Sequence, residues 1–93
     1  MAEIEVSPVV PGETSEFRVR VTEGGSATEH EVTVTNADLH RLAAGHPSPQ
    51  DFVRACFEFL LAREPKEQIL RSFDVSAISR YFPEFEEEIR ARP

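Results

Sequence analysis

The sequence has a single cysteine, a single methionine and no tryptophan, and it contains fewer basic than acidic residues. With Cys56 alone, the chain cannot form an intramolecular disulfide, which is typical of proteins from a reducing compartment. Ten Lys and Arg residues against 17 Asp and Glu residues give a formal net charge of -7. Because an acidic surface repels phosphate groups, this composition disfavours general nucleic-acid binding.

Long apolar runs are also missing. No stretch approaches the roughly 18 uninterrupted apolar residues of a membrane span, and residues 1–10 lack the basic start and apolar core of a signal peptide. We therefore expect a cytoplasmic protein with no membrane association. Its 93 residues suffice for one domain, 1–93, and 40% hydrophobic residues are typical of a folded chain.

The clearest pattern is a β-hairpin over residues 16–22 and 27–34. Apolar and polar residues alternate on both sides of Gly24-Gly25, and paired glycines favour a two-residue turn because both positions need positive φ. Centring the turn there places Phe17 opposite Val32, with opposite charges meeting on the other face of the hairpin. A shift by one residue would destroy both matches, so the sequence predicts the register as well as the hairpin.

A central helix over residues 49–63 is the second strong prediction. Ser48 is a typical N-cap, Pro49 suits the first helical position, and the apolar residues that follow recur at helical spacing. Residues 3–7 alternate polar and apolar and predict a third strand. The fold class is therefore α+β: an N-terminal antiparallel sheet packed on a C-terminal set of short helices.

The C-terminal third is expected to form a series of short helices. Pro65 is predicted to begin a short helix that buries Ile69, Leu70 and Phe73, and further helical turns follow. Residues 69–82 resemble a degenerate helix-turn-helix, which leaves a DNA-associated regulator as an alternative function. The motif lacks the turn glycine, and its second helix leads into an acidic segment that would repel phosphates.

No pattern of catalytic or metal-binding residues stands out. The three histidines and Cys56 lack the tight pair spacing of zinc sites, and no nucleophile elbow or phosphate-binding loop is present. His30 is expected in the core with its ring hydrogen-bonded, and Cys56 is expected to be a small core residue. We expect no cofactor and no catalytic activity. A small ligand binder or enzyme is the least favoured alternative, because so small a core leaves little room for a deep pocket.

Three aromatic residues near the C-terminus, Tyr81, Phe82 and Phe85, lie among the acidic residues Glu84 and 86–88. If one or two of these rings are exposed, they form an apolar anchor with an acidic rim, suited to a basic protein partner. The alternative is that all three rings complete the core. The leading hypothesis is a non-enzymatic protein-interaction or regulatory module, as a monomer or weak homodimer.

Residues 52–86 also carry a resemblance to a known family. It rests on five short segments: 57–61, 63–67, Ile69-Leu70, Phe73-Asp74 and 78–86. They are similar to those of a family of small uncharacterised bacterial proteins of unknown function. The resemblance implies a compact bacterial domain. It implies no functional residues, because the family has no assigned activity.

Overall fold

Four strands form one mixed sheet, in the order β1-β2-β3-β4, in the computed structural model, which describes residues 2–9, 14–43 and 45–91. The α+β class predicted from the sequence is confirmed. The strands are β1 (Glu3–Pro8), β2 (Thr14–Glu23), β3 (Ser26–Thr35) and β4 (Ser72–Asp74). The helices are α1 (Asn36–Leu42), α2 (Pro49–Leu61), α3 (Ile78–Tyr81) and α4 (Phe85–Ala91), with 3-10 turns at Lys66–Gln68 and Val75–Ala77.

The predicted hairpin and its register are confirmed. β2 and β3 pair antiparallel with Phe17 opposite Val32, and both strands run slightly beyond their predicted ends. Gly24 and Gly25 form the turn with φ values of 66° and 82°, in the left-handed region that glycine adopts without steric cost. The predicted third strand is β1, which pairs antiparallel with β2 and extends the sheet at its other side.

Side-chain caps begin the first two helices. The Thr35 side chain accepts a hydrogen bond from the backbone N–H of Asp38 at the start of α1, and the Ser48 side chain accepts one from Asp51 at the start of α2. Such caps satisfy backbone donors that have no partner inside the helix. The central helix therefore starts where the sequence predicts and ends at Leu61, two residues earlier than expected.

The prediction of a helix carrying Ile69, Leu70 and Phe73 is wrong. A single 3-10 turn follows Pro65, and the chain then extends into β4, which pairs parallel with β3. Its ladder places Phe73 beside Val32, and the Glu31 N–H donates to the Arg71 carbonyl at 2.7 Å. The sheet is therefore mixed, because the free edge of β3 offers backbone partners to this segment and an isolated helix would not use them.

One hydrophobic core joins the sheet to the helices. α2 supplies the largest part of it, and its side chains lie between the inner face of the sheet and the C-terminal segment. Fully buried rings include Phe52, Phe57, Phe59 and Phe85. Within the described ranges, no helix has the length and apolar character needed to cross a membrane.

Candidate functional site

An apolar groove lies where the C-terminal segment packs against the end of α2. Its volume is about 330 Å³. Leu60 and Glu64 contribute to it from α2 and the turn that follows, and Gln68 and Ile69 contribute from the 3-10 turn and its end. This volume is at the lower end of the range typical of ligand sites, and the groove is open to solvent rather than an enclosed, deep pocket.

The remaining lining comes from the chain segment that the sequence had predicted to be helical. These side chains are apolar or aromatic: Leu70, Phe73, Ala77, Ile78, Tyr81 and Phe82. The groove forms because β4 pairs with the edge of the sheet, and the chain after α3 contacts α2 again through Phe82 and Phe59. We refer to the whole set of lining residues as the 60–82 groove.

The three aromatic residues predicted to form a partner-binding patch have different positions. Tyr81 is 68% exposed, Phe82 is half-buried, and Phe85 is fully buried. Phe85 packs edge-on against Phe59 with ring centroids 5.1 Å apart, so it belongs to the core and offers no surface to a partner. Phe82 also contacts Phe59, at 5.8 Å, and forms part of the groove. Only Tyr81 and Phe82 of the predicted patch therefore reach the surface.

Leu70 completes the apolar surface around Tyr81. Its side chain is 50% exposed, and both residues line the 60–82 groove. Single exposed apolar residues are common, but two that flank a concave apolar surface are characteristic of contact sites. The sequence predicted Leu70 to be buried, and its exposure follows from the replacement of the expected helix by an extended segment.

Among the described residues that line this groove, Glu64 is the one acidic residue. Its side chain is half-buried and forms no hydrogen bond or ion pair within the part of the chain that the structure describes. Burial raises the pKa of the Glu64 carboxyl above its ordinary value, because removal of water disfavours the charged form. Nothing in the sequence distinguishes Glu64 from the rest of the 17 acidic residues.

The acidic residues near the C-terminus, predicted to form an exposed rim, are largely engaged in ion pairs. Arg63 donates to Glu84 at 3.3 Å and to Glu88 at 2.7 Å. The Arg63 guanidinium also lies 3.6 Å above the Phe59 ring. Arg41 pairs with Glu86, and this hydrogen bond is the main cause that lowers the pKa of the Glu86 carboxyl. These carboxylates thus join α4 to the rest of the fold.

The predicted helix-turn-helix over residues 69–82 is not formed. The segment contains β4, one 3-10 turn and the four residues of α3, and its first half pairs with the sheet. A recognition helix needs an accessible face that is long enough to reach base edges in a groove. This segment therefore presents no such helix.

His30 and Cys56 lie in the core, as expected. His30 is 1% exposed, and its ring bonds to the Thr28 hydroxyl at 2.8 Å and to the Leu70 carbonyl at 2.7 Å. Cys56 is buried on α2. Across residues 2–9, 14–43 and 45–91, no group of three or more His, Cys, Asp or Glu side chains has the arrangement of a metal site.

Fold and site together define a small α+β protein with an acidic surface and an apolar groove that contains one unpaired carboxylate. Comparison with protein-family models, with curated proteins and with solved structures finds no significant match. The resemblance of residues 52–86 to small bacterial proteins therefore stays a prediction, and function has to be argued from the groove itself.

Proposed function

We propose that this protein is a protein-interaction or regulatory module with no catalytic role, and that it binds a partner protein through the 60–82 groove. The observation that carries the proposal is the apolar groove of about 330 Å³, flanked by Leu70 at 50% and Tyr81 at 68% exposure. Water in contact with such a surface is released when a partner covers it, which favours association.

The chemistry of the groove favours a segment of another protein as the occupant. Tyr81 combines a large apolar ring with a hydroxyl that stays hydrated at the rim, the property that enriches tyrosine in protein interfaces. Phe82 lies against Phe59 and is therefore held in place before binding. A preformed, rigid contact surface lowers the entropic cost of association.

The net charge of the chain favours a basic partner. The chain has a formal net charge of -7, and the acidic side chains steer cationic partners toward the surface. We therefore expect a partner segment with an apolar anchor and nearby Lys or Arg residues. The proposed setting is the bacterial cytoplasm, because a single cysteine leaves no intramolecular disulfide and because residues 52–86 resemble small bacterial proteins.

The test is a quantitative capture experiment with three forms of the tagged protein, incubated with lysate of the source organism after nuclease treatment. The forms are wild type, the double variant Leu70→Ser with Tyr81→Ser, and the control Val9→Ser. Val9 is also exposed, at 44%, but it follows β1 at the opposite edge of the sheet. All three substitutions replace exposed side chains, so each form is expected to fold.

We expect one basic protein to be captured by wild type and by Val9→Ser and to be lost with the double variant. Titration calorimetry on the purified pair then has to reproduce the same order of affinities. Equal capture by all three forms would overturn the proposal. The proposal would also be overturned if the wild-type protein captured a small apolar molecule from the lysate and no protein.

A further inference from the structure

Glu64 has an unusual position for a carboxylate. It follows the last turn of α2, where its backbone N–H donates to the Leu60 carbonyl at 2.9 Å. Its side chain lines the same apolar groove as Leu70 and Tyr81. A carboxylate beside apolar side chains loses hydration, and here no cation of the chain replaces the lost water within the described residues.

The cationic residues nearest to Glu64 in the sequence form ion pairs with other carboxylates. Arg63 pairs with Glu84 and Glu88, and its guanidinium lies on the Phe59 ring. Lys66 is almost fully buried and pairs with Glu67. Neither side chain forms an ion pair with Glu64.

Three carboxylates near the C-terminus differ from Glu64 in this respect. Glu84, Glu86 and Glu88 each pair with an arginine, as described above. A partner would have to break these ion pairs before it could use the same oxygens. Glu64 is therefore the groove carboxylate that is open to a cation from outside the chain.

We propose that Glu64 selects the partner of the 60–82 groove, by pairing with a Lys or Arg that lies next to the apolar side chain inserted beside Leu70 and Tyr81. This inference rests on the proposed function. The occupant is thus a basic segment of a protein, with one apolar anchor and one cation at a fixed spacing from it.

The physical reason is that the pair would form in a partly dehydrated place. Contact with the partner excludes more water from the groove. Binding is therefore weakened if Glu64 stays unpaired and strengthened if it pairs with a cation. Charge-assisted hydrogen bonds of this kind change affinity by about 10- to 100-fold. Segments with an apolar residue at the same position, or with an acidic neighbour, would be discriminated against.

The experiment uses the full chain and a phage-displayed library of random peptides of about 12 residues. Peptides selected on wild type are synthesised, and their dissociation constants are measured by fluorescence anisotropy against four forms. Glu64→Gln removes the charge and keeps the shape. Glu5→Gln is the matched control, an exposed carboxylate on β1 at the opposite edge of the sheet. The double variant Leu70→Ser with Tyr81→Ser reports whether a peptide occupies the groove.

We expect the selected peptides to combine an apolar residue with Lys or Arg at constant spacing. Their affinity should fall about 10- to 100-fold with Glu64→Gln, stay unchanged with Glu5→Gln, and be lost with the double variant. Replacement of the peptide cation by norleucine should weaken binding to wild type and leave binding to Glu64→Gln unchanged.

Two other outcomes separate the two proposals. Peptides that require Leu70 and Tyr81 but bind Glu64→Gln as tightly as wild type would overturn the role of Glu64 and leave the interaction module standing. If no selected peptide depends on Leu70 and Tyr81, the groove is not a peptide-binding site, and both proposals are overturned.

Discussion

His30 Nδ1 donates a hydrogen bond to the carbonyl oxygen of Leu70 at 2.7 Å, and so joins two residues that are 40 positions apart in the chain. A carbonyl can only accept, so this bond places the ring proton on Nδ1 and leaves Nε2 to accept from the Thr28 hydroxyl at 2.8 Å. The buried ring therefore ties β3 to the segment that carries Leu70 into the 60–82 groove.

The first prediction concerns this bond. Replacement of His30 by Phe keeps an aromatic ring in the core but leaves the Leu70 carbonyl and the Thr28 hydroxyl without their partner. We expect the free energy of unfolding to fall by about 1–3 kcal/mol in urea denaturation. Thr28→Val, which removes only the hydroxyl, should cost less. A His30→Phe protein as stable as wild type would show that the bond contributes nothing.

The second prediction concerns pH. Burial is the main cause that lowers the pKa of His30 below 6.5, the ordinary value that the residue recovers on unfolding. Below about pH 6.5 the unfolded chain binds a proton that the folded chain does not, so stability falls as the pH drops toward the folded pKa. The contribution is present in full above about pH 6.5.

Urea titrations of wild type and His30→Phe at a series of pH values between about 7.5 and 5.5 test this directly. The loss of stability toward acid should be smaller in the variant, which has no proton to gain at this position. Parallel pH profiles of the two proteins would contradict the prediction.

The third prediction is that removal of the Glu64 charge stabilises the free protein. Burial raises the pKa of this carboxyl, so its ionised form destabilises the fold at neutral pH. Glu64→Gln should increase the free energy of unfolding at pH 7, and Glu5→Gln should leave it unchanged. The gain should disappear as the pH falls through about 4.5, because the carboxyl is then neutral in both states. Destabilisation by Glu64→Gln at pH 7 would mean that Glu64 has a stabilising partner.

The fourth prediction separates the two turn glycines. Both have positive φ, and a Cβ at either position would meet no atom within 4 Å, so the cost of a side chain is that of the backbone conformation alone. Gly25→Ala should destabilise the protein by about 1–2 kcal/mol. Gly24→Asn should be nearly neutral, since Asn-Gly is a preferred pair in such turns. Equal losses for both variants in urea denaturation would show that the turn has another conformation.

The sequence predicts correctly those elements whose interactions connect residues close together in the chain. The hairpin depends on residues close together in the chain, and Gly24-Gly25 with its flanking alternation was enough to predict even the register. The start of α2 at Ser48 and Pro49 is equally local. β4 was missed because its backbone partners are in β3, some 40 residues earlier, and nothing within the segment itself indicates that edge.

The candidate site was predicted only in part, for the same reason. Tyr81 and Phe82 are predicted as part of a binding patch because they are aromatic residues among acidic ones, and both line the groove. Phe85 is buried because it packs against Phe59 on α2. The order of apolar and polar residues in α4 does not reveal this contact. Glu64 lies in the groove because the 3-10 turn at Lys66–Gln68 and β4 place the opposite wall beside it. The sequence predicts helix for both of these segments.

The late position of β4 has a consequence for biosynthesis. During translation the hairpin can form as soon as β3 has been made, because its contacts are local. The groove cannot form at that stage, because Leu70, Phe73 and Tyr81 have not been synthesised and the edge of β3 is still unoccupied. A partner that recognises the groove would therefore bind only chains whose synthesis and folding have passed Phe82, and would not bind shorter ones.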